Sequence, residues 1–206
     1  MDVRRALFVS FFFISLALPA FAAQRRVLVC FGDSITAGYG LSHDEAYPAF
    51  LQKKLNAAGY HYKVVNHGVS GATTKDAVAE LPEVLKLHPE IVVVEFGGND
   101  GLRGLPLTET RSNLDRVLSA FEKAHVKVLL AGITLPPDYG PEYIRDFEQM
   151  FRALAVRHHA TLEPMLYRSL VHTPGTIQAD GIHPTAKGSA IIADTLIARL
   201  RPVLRK

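Results

Sequence analysis

Five short apolar segments, Val27 to Phe31, Tyr62 to Asn66, Ile91 to Phe96, Val126 to Ala131 and Thr161 to Glu163, recur along the chain with longer helical patterns between them. Most are nearly continuous runs of Val, Ile, Leu and Phe. A strand that lacks polar alternation is buried on both faces, which is the situation of a parallel sheet covered by helices on either side. The repeated strand-helix unit therefore predicts an α/β protein, a three-layer α/β/α sandwich around a five-stranded parallel sheet. In such sheets ligands bind beyond the carboxyl ends of the strands. The unusual loops fall at those ends: Ser34 after the first strand, Gly68 to Thr74 after the second, Gly97 to Gly104 after the third, and Pro164 to Ile182 after the fifth.

The helices expected between them are Tyr47 to Ala58, closed by Gly59; Thr108 to His125, with Thr108 as N-cap; Pro141 to His159, with Pro at the first position; and about Thr185 to Leu200. Pro82 is expected to interrupt or kink a helix between Thr74 and His88, because proline lacks the N–H that the ladder needs. The loop before Asp180 is long for a compact domain and reads as a pocket wall or lid, with a short buried helix through Met165, Leu166, Tyr167, Leu170 and Val171 as the alternative.

Arg4 and Arg5, the apolar stretch Ala6 to Ala20 and the small residues of Ala20-Phe21-Ala22 have the form of a secretory leader, residues 1–22, with cleavage expected after Ala22. That stretch is shorter than the ~20 residues that span a bilayer. Residues 23–206 then form one domain, and a periplasmic location follows, with secretion beyond it also open. With a single cysteine, Cys30, no internal disulfide forms, and its place in an apolar strand makes it a packing residue. The net charge of +3 is scattered, which points away from nucleic-acid or membrane partners. A monomer acting on a small or lipid-like molecule is the expectation.

Gly32-Asp33-Ser34 directly follows the first strand, and Asp180-Gly181-Ile182-His183-Pro184 lies near the other end. A serine hydroxyl becomes a useful nucleophile when an imidazole takes its proton and a carboxylate orients that imidazole. Ser34, His183 and Asp180 supply those three groups, whereas Asp33, adjacent to the serine, reads as turn structure. Acyl transfer also needs donors for the developing oxyanion. The turn Asn66-His67-Gly68-Val69-Ser70-Gly71 and the loop Gly97-Gly98-Asn99-Asp100 offer them. His43, His61, His88, His125 and His172 read as surface residues and His158-His159 as a helix end. Leu102, Leu105, Leu135, Pro136 and Tyr139, from the loops after strands three and four, are the apolar candidates for substrate binding. No Gly-x-Gly-x-x-Gly or P-loop follows the first strand, which argues against a nucleotide-binding module.

Four blocks together resemble the SGNH or GDSL-like hydrolases: Phe31 to Tyr39, Asn66 to Thr74, Glu95 to Gly104 and Asp180 to Pro184. Ile35 departs from the leucine of the family name and keeps an apolar side chain there. The resemblance implies a flavodoxin-like sheet of order 2-1-3-4-5, Ser34 as nucleophile with Asp180 and His183, and an oxyanion hole of the Ser34 N–H, Gly71 and Asn99. It implies no metal or cofactor. Gly-Gly-Asn-Asp-Gly-Leu-Arg-Gly and Leu135 to Gly140 look like the bacterial periplasmic thioesterase, arylesterase and lysophospholipase branch. The activity it implies is a serine esterase or thioesterase acting on aryl esters, acyl-CoA or lysophospholipid-like substrates. An acyltransferase using the same residues with an alcohol or sugar acceptor is the alternative.

Overall fold

The computed structural model describes residues 26–206, so the expected leader lies outside the described residues. The elements run β1 (Arg26–Gly32), α1 (Ser34–Ala37), α2 (Tyr47–Ala57), β2 (Tyr62–Gly68), α3 (Thr74–Lys86), β3 (Ile91–Glu95), α4 (Gly98–Leu102), α5 (Leu107–Lys123), β4 (Lys127–Ala131), α6 (Pro141–Arg157), β5 (Thr161–Glu163) and α7 (Ala186–Leu200). All five strands are parallel in the order β2-β1-β3-β4-β5. Central β1 and β3 bury Leu28 to Phe31 and Ile91 to Glu95, as unbroken apolar runs require.

Helices α2 and α7 pack together on one face of the sheet, and α3, α5 and α6 pack on the other. Buried Thr110, Leu114, Val117, Leu118 and Phe121 of α5 lie at helical spacing along one stripe. Burying each of its large apolar side chains contributes about 1.5–3 kcal/mol. His158, at the end of α6, reaches α5 on both sides: Nε2 lies 2.9 Å from Asp115 Oδ1 and Nδ1 lies 3.0 Å from Glu122 Oε2.

The register decides where the chemistry can sit. Gly32 pairs with Gly68 on one side and with Glu95 on the other, so β1, β2 and β3 end level and deliver their loops to one edge.

Two local expectations are corrected. Pro82 does not break α3, which continues through it; the residue sits on the exposed side, where the carbonyl it leaves unpaired can be hydrated. Helix α5 begins at Leu107 with Pro106 in the capping position, so Thr108 lies inside its first turn, because the Pro106 carbonyl already accepts the Glu109 and Thr110 N–H groups and starts the ladder there. Of the two readings of the loop before Asp180, the short helix is not formed: residues 164–176 make successive turns, with Leu166 and Leu170 buried and Val171 exposed. Glycine closes α2 at Gly59 with φ 77°, but α3, α5 and α6 are each followed by a histidine in the same left-handed conformation: His88, His125 and His159.

Candidate active site

Gly32 ends β1 because no side chain fits there: a Cβ would lie 2.7 Å from the Glu95 carbonyl oxygen. Asp33 then caps the single turn α1, its Oδ1 accepting the Ile35 N–H at 3.0 Å. This leaves Ser34 at the first helical position, at the carboxyl edge of the sheet. From the far end of the chain, the turn before α7 brings His183 Nε2 to 2.9 Å from Ser34 Oγ. His183 Nδ1 is 2.6 Å from Asp180 Oδ2, while Asp180 Oδ1 accepts the N–H groups of Ile182 at 2.9 Å and His183 at 3.0 Å.

The partners assign the tautomer. A carboxylate only accepts, so Nδ1 carries the hydrogen, and Nε2 is free to accept the Ser34 hydroxyl proton. The hydrogen bond from the His183 side chain and the two backbone N–H groups hold the Asp180 carboxyl down at about 2. Because the folded value is the lower one, the stabilisation from this turn is present above the ordinary carboxylate value of 3.8 and is lost as pH falls toward 2.

Behind the serine lies a buried acidic layer. The Asp33 N–H donates to the Glu95 carbonyl at 3.2 Å, and Thr36 Oγ1 donates to Glu95 Oε2 at 2.8 Å. Asp33 and Glu95 are both almost fully buried. Burial pushes the Asp33 carboxyl up to about 6, and burial together with the Asp33 charge drives Glu95 well above the carboxylate range. Glu95 keeps the proton and Asp33 the charge, because the Ile35 N–H and the Asn99 amide feed hydrogen bonds to Asp33. The native state thus holds a proton on Glu95 that the unfolded chain releases, and stability falls as pH rises above 4.5. Glu95→Gln, which cannot ionise, is expected to melt higher than wild type by a margin that widens from pH 5 to pH 8. Thermal melts at the two pH values check this, and an equal margin at both contradicts it.

The groups expected to donate to an oxyanion are the Ser34 and Gly71 N–H and the Asn99 amide. Among the described residues, neither the Ser34 nor the Gly71 N–H has an acceptor. Gly71 adopts φ 81°, which a side chain would strain, and its carbonyl accepts from Arg103 Nη2 at 2.9 Å. Asn99 Nδ2 donates to Ala72 O at 2.9 Å and to Asp33 Oδ2 at 3.1 Å, so offering a hydrogen to a substrate means sharing or releasing one of these. Asp100 points away and holds the start of α3 through the Thr74 N–H and hydroxyl.

The family model described as GDSL-like lipase/acylhydrolase matches residues 30–191. The chain belongs to this family. This GDSL-like hydrolase is 39% identical to the esterase TesA of Pseudomonas aeruginosa over 192 residues, which cover 93% of this chain and 96% of TesA. It is 37% identical over 194 residues to thioesterase 1/protease 1/lysophospholipase L1 of Escherichia coli, with 93% and 92% of the two chains covered. A crystal structure of the psychrotrophic esterase EstA from Pseudoalteromonas, inhibited by monoethylphosphonate, is similar with a TM-score of 0.81 at 28% identity, covering 86% of this chain and 98% of that one. The relatives place this chain among serine hydrolases acting on ester bonds.

This GDSL-like hydrolase has a cavity of about 570 Å³ between the loops after β3, β4 and β5, bordered by Gly98, next to Asn99, and by Gly181 and Ile182 of the turn that carries His183. Its walls include Leu102, Leu135 and Pro136, together with Ile133, Met165 and Tyr167. Leu105 and Tyr139 do not line it; the Tyr139 hydroxyl supports the wall from behind by donating to the Leu102 carbonyl at 2.7 Å. Sequence reasoning gave no role to Glu95, Tyr39 or Gln178. A lone acid in the apolar run of β3 was the available signal for Glu95. His67 stays outside the constellation, 3.4 Å from Glu80, and no group of metal-ligating side chains occurs among the described residues.

Proposed function

We propose that this hydrolase cleaves esters and thioesters of apolar acyl chains through an acyl-serine intermediate. The observation that carries the reading is the chain of contacts from Asp180 through His183 to Ser34. Ser34 Oγ attacks the carbonyl carbon as its proton passes to His183 Nε2, and Asp180 stabilises the imidazolium. The carbonyl oxygen, now negative, is taken by the Ser34 and Gly71 N–H groups and by Asn99 Nδ2 as it exchanges an acceptor. The imidazolium returns its proton to the leaving alcohol or thiol. Water, deprotonated by His183, then attacks the acyl-serine, releasing the acid and regenerating the hydroxyl.

The apolar cavity bordered by Gly98, Gly181 and Ile182 suits the acyl chain, with Leu102, Leu135 and Pro136 against it. Exposed Arg168 and His172 stand among its lining residues, where a polar or anionic leaving group would meet them. Aryl esters, acyl-CoA and lysophospholipid are the substrates we propose, with monomeric enzyme acting after export to the periplasm. A fluorophosphonate probe followed by peptide mass mapping tests the reading: one label on Ser34 is expected, and a label on another residue overturns it.

A further inference from the structure

We propose that Gln178 is a positioning residue that sets the distance between His183 and Ser34 by clasping the two loops that carry them. The inference rests on the reading of those residues as base and nucleophile. Gln178 Nε2 donates to the Tyr39 carbonyl at 2.8 Å and to the Pro184 carbonyl at 2.9 Å. Its backbone N–H donates to the His183 carbonyl at 2.8 Å, and its carbonyl accepts from the Gly181 N–H at 3.1 Å. One residue therefore brackets the catalytic turn from both sides and ties it to a segment 139 positions earlier.

The earlier segment is itself fixed to the nucleophile. The Gly38 and Tyr39 N–H groups both donate to the Ser34 carbonyl, at 3.1 and 3.0 Å. The Tyr39 ring also packs over the His183 imidazole, with centroids 4.5 Å apart and planes tilted by 35°. The bonds close a ring: Ser34 to Tyr39, Tyr39 to Gln178, Gln178 to His183, and His183 back to Ser34. Among the described residues, only the Gln178 and Ser34–His183 bonds join these two loops directly.

The chemistry of the clasp selects the side chain. Both partners are carbonyl oxygens, which only accept, so the clasp needs a group with two hydrogens on one atom. A primary amide of this length provides it. Gly40 leaves the room required, since a Cβ there would lie 2.7 Å from Gln178 Oε1. A glutamate at the same place would face two acceptors with a third.

A positioning role predicts a loss confined to the chemical steps, because misplacing a reacting group by about 1 Å can cost roughly 10²-fold. Steady-state hydrolysis of p-nitrophenyl butyrate by Gln178→Ala is expected to show kcat reduced about 10- to 100-fold with KM unchanged. The rate of Ser34 labelling by a fluorophosphonate should fall in proportion. Gln178→Glu should be impaired at least as much. Gln178→Met, of similar length and without donors, should show the same loss, and it carries the test if the alanine variant melts below the assay temperature. Wild-type kcat in a folded variant, or a raised KM at unchanged kcat, overturns the proposal. Ser34→Ala run alongside separates the two failures: undiminished turnover there overturns the nucleophile reading itself, whereas normal Gln178 variants beside a dead Ser34→Ala overturn only the clasp.

Discussion

Ser34→Ala is expected to lower kcat for ester hydrolysis by about 10⁵- to 10⁶-fold while leaving the melting temperature close to that of wild type. The size follows from what the proposed mechanism loses: without the hydroxyl it forms no acyl-enzyme, and the remaining groups act on water alone, which in serine hydrolases preserves only a small part of the acceleration. The fold is spared because Ser34 sits at the first position of a single-turn helix whose cap is made by Asp33. His183 Nε2 then finds water in place of the lost hydroxyl. Steady-state kinetics and a thermal melt on the same preparation check both halves. A loss of less than tenfold would place the nucleophile elsewhere.

Asp180→Asn should cost about 10⁴-fold in kcat, through the tautomer and with little change of shape. Asp180 Oδ1 accepts two backbone N–H groups, so an asparagine oxygen is held there and its amide nitrogen must take the place of Oδ2, facing His183 Nδ1. That nitrogen donates. The imidazole therefore carries its hydrogen on Nε2, where it can no longer take the serine proton. Kinetics of Asp180→Asn with p-nitrophenyl esters measure the effect, and activity within tenfold of wild type contradicts it.

The strands were legible because their chemistry is local. Buried parallel strands show as apolar runs, so β1 to β5 fall within one or two residues of where the sequence places them, and the level ends of β1, β2 and β3 explain why motifs distant in sequence share an edge. What was hidden depends on partners remote in sequence. The place of His158 between Asp115 and Glu122 depends on how α6 docks against α5. Glu95 belongs to a run that predicts burial, the larger reason it keeps a proton, but the Asp33 charge that adds to it lies 62 residues away. Gln178 carries no pattern at all, since its two acceptors are backbone carbonyls that any residue type supplies. For residues 164–176 the sequence left a loop and a short helix both open, because Leu166 and Leu170 look alike to a helix and to an irregular segment that buries the same side chains.

The 149 residues that separate Ser34 from His183 mean that the serine is made long before its proposed base. A chain emerging from the ribosome carries an inert hydroxyl until α7 has docked against α2 and β5 and brought the last turn home. Catalytic competence is thus a late event in the life of each molecule. On the proposed mechanism, a chain cut short before His183 keeps its serine and lacks its base, so turnover would report on the wholeness of the chain.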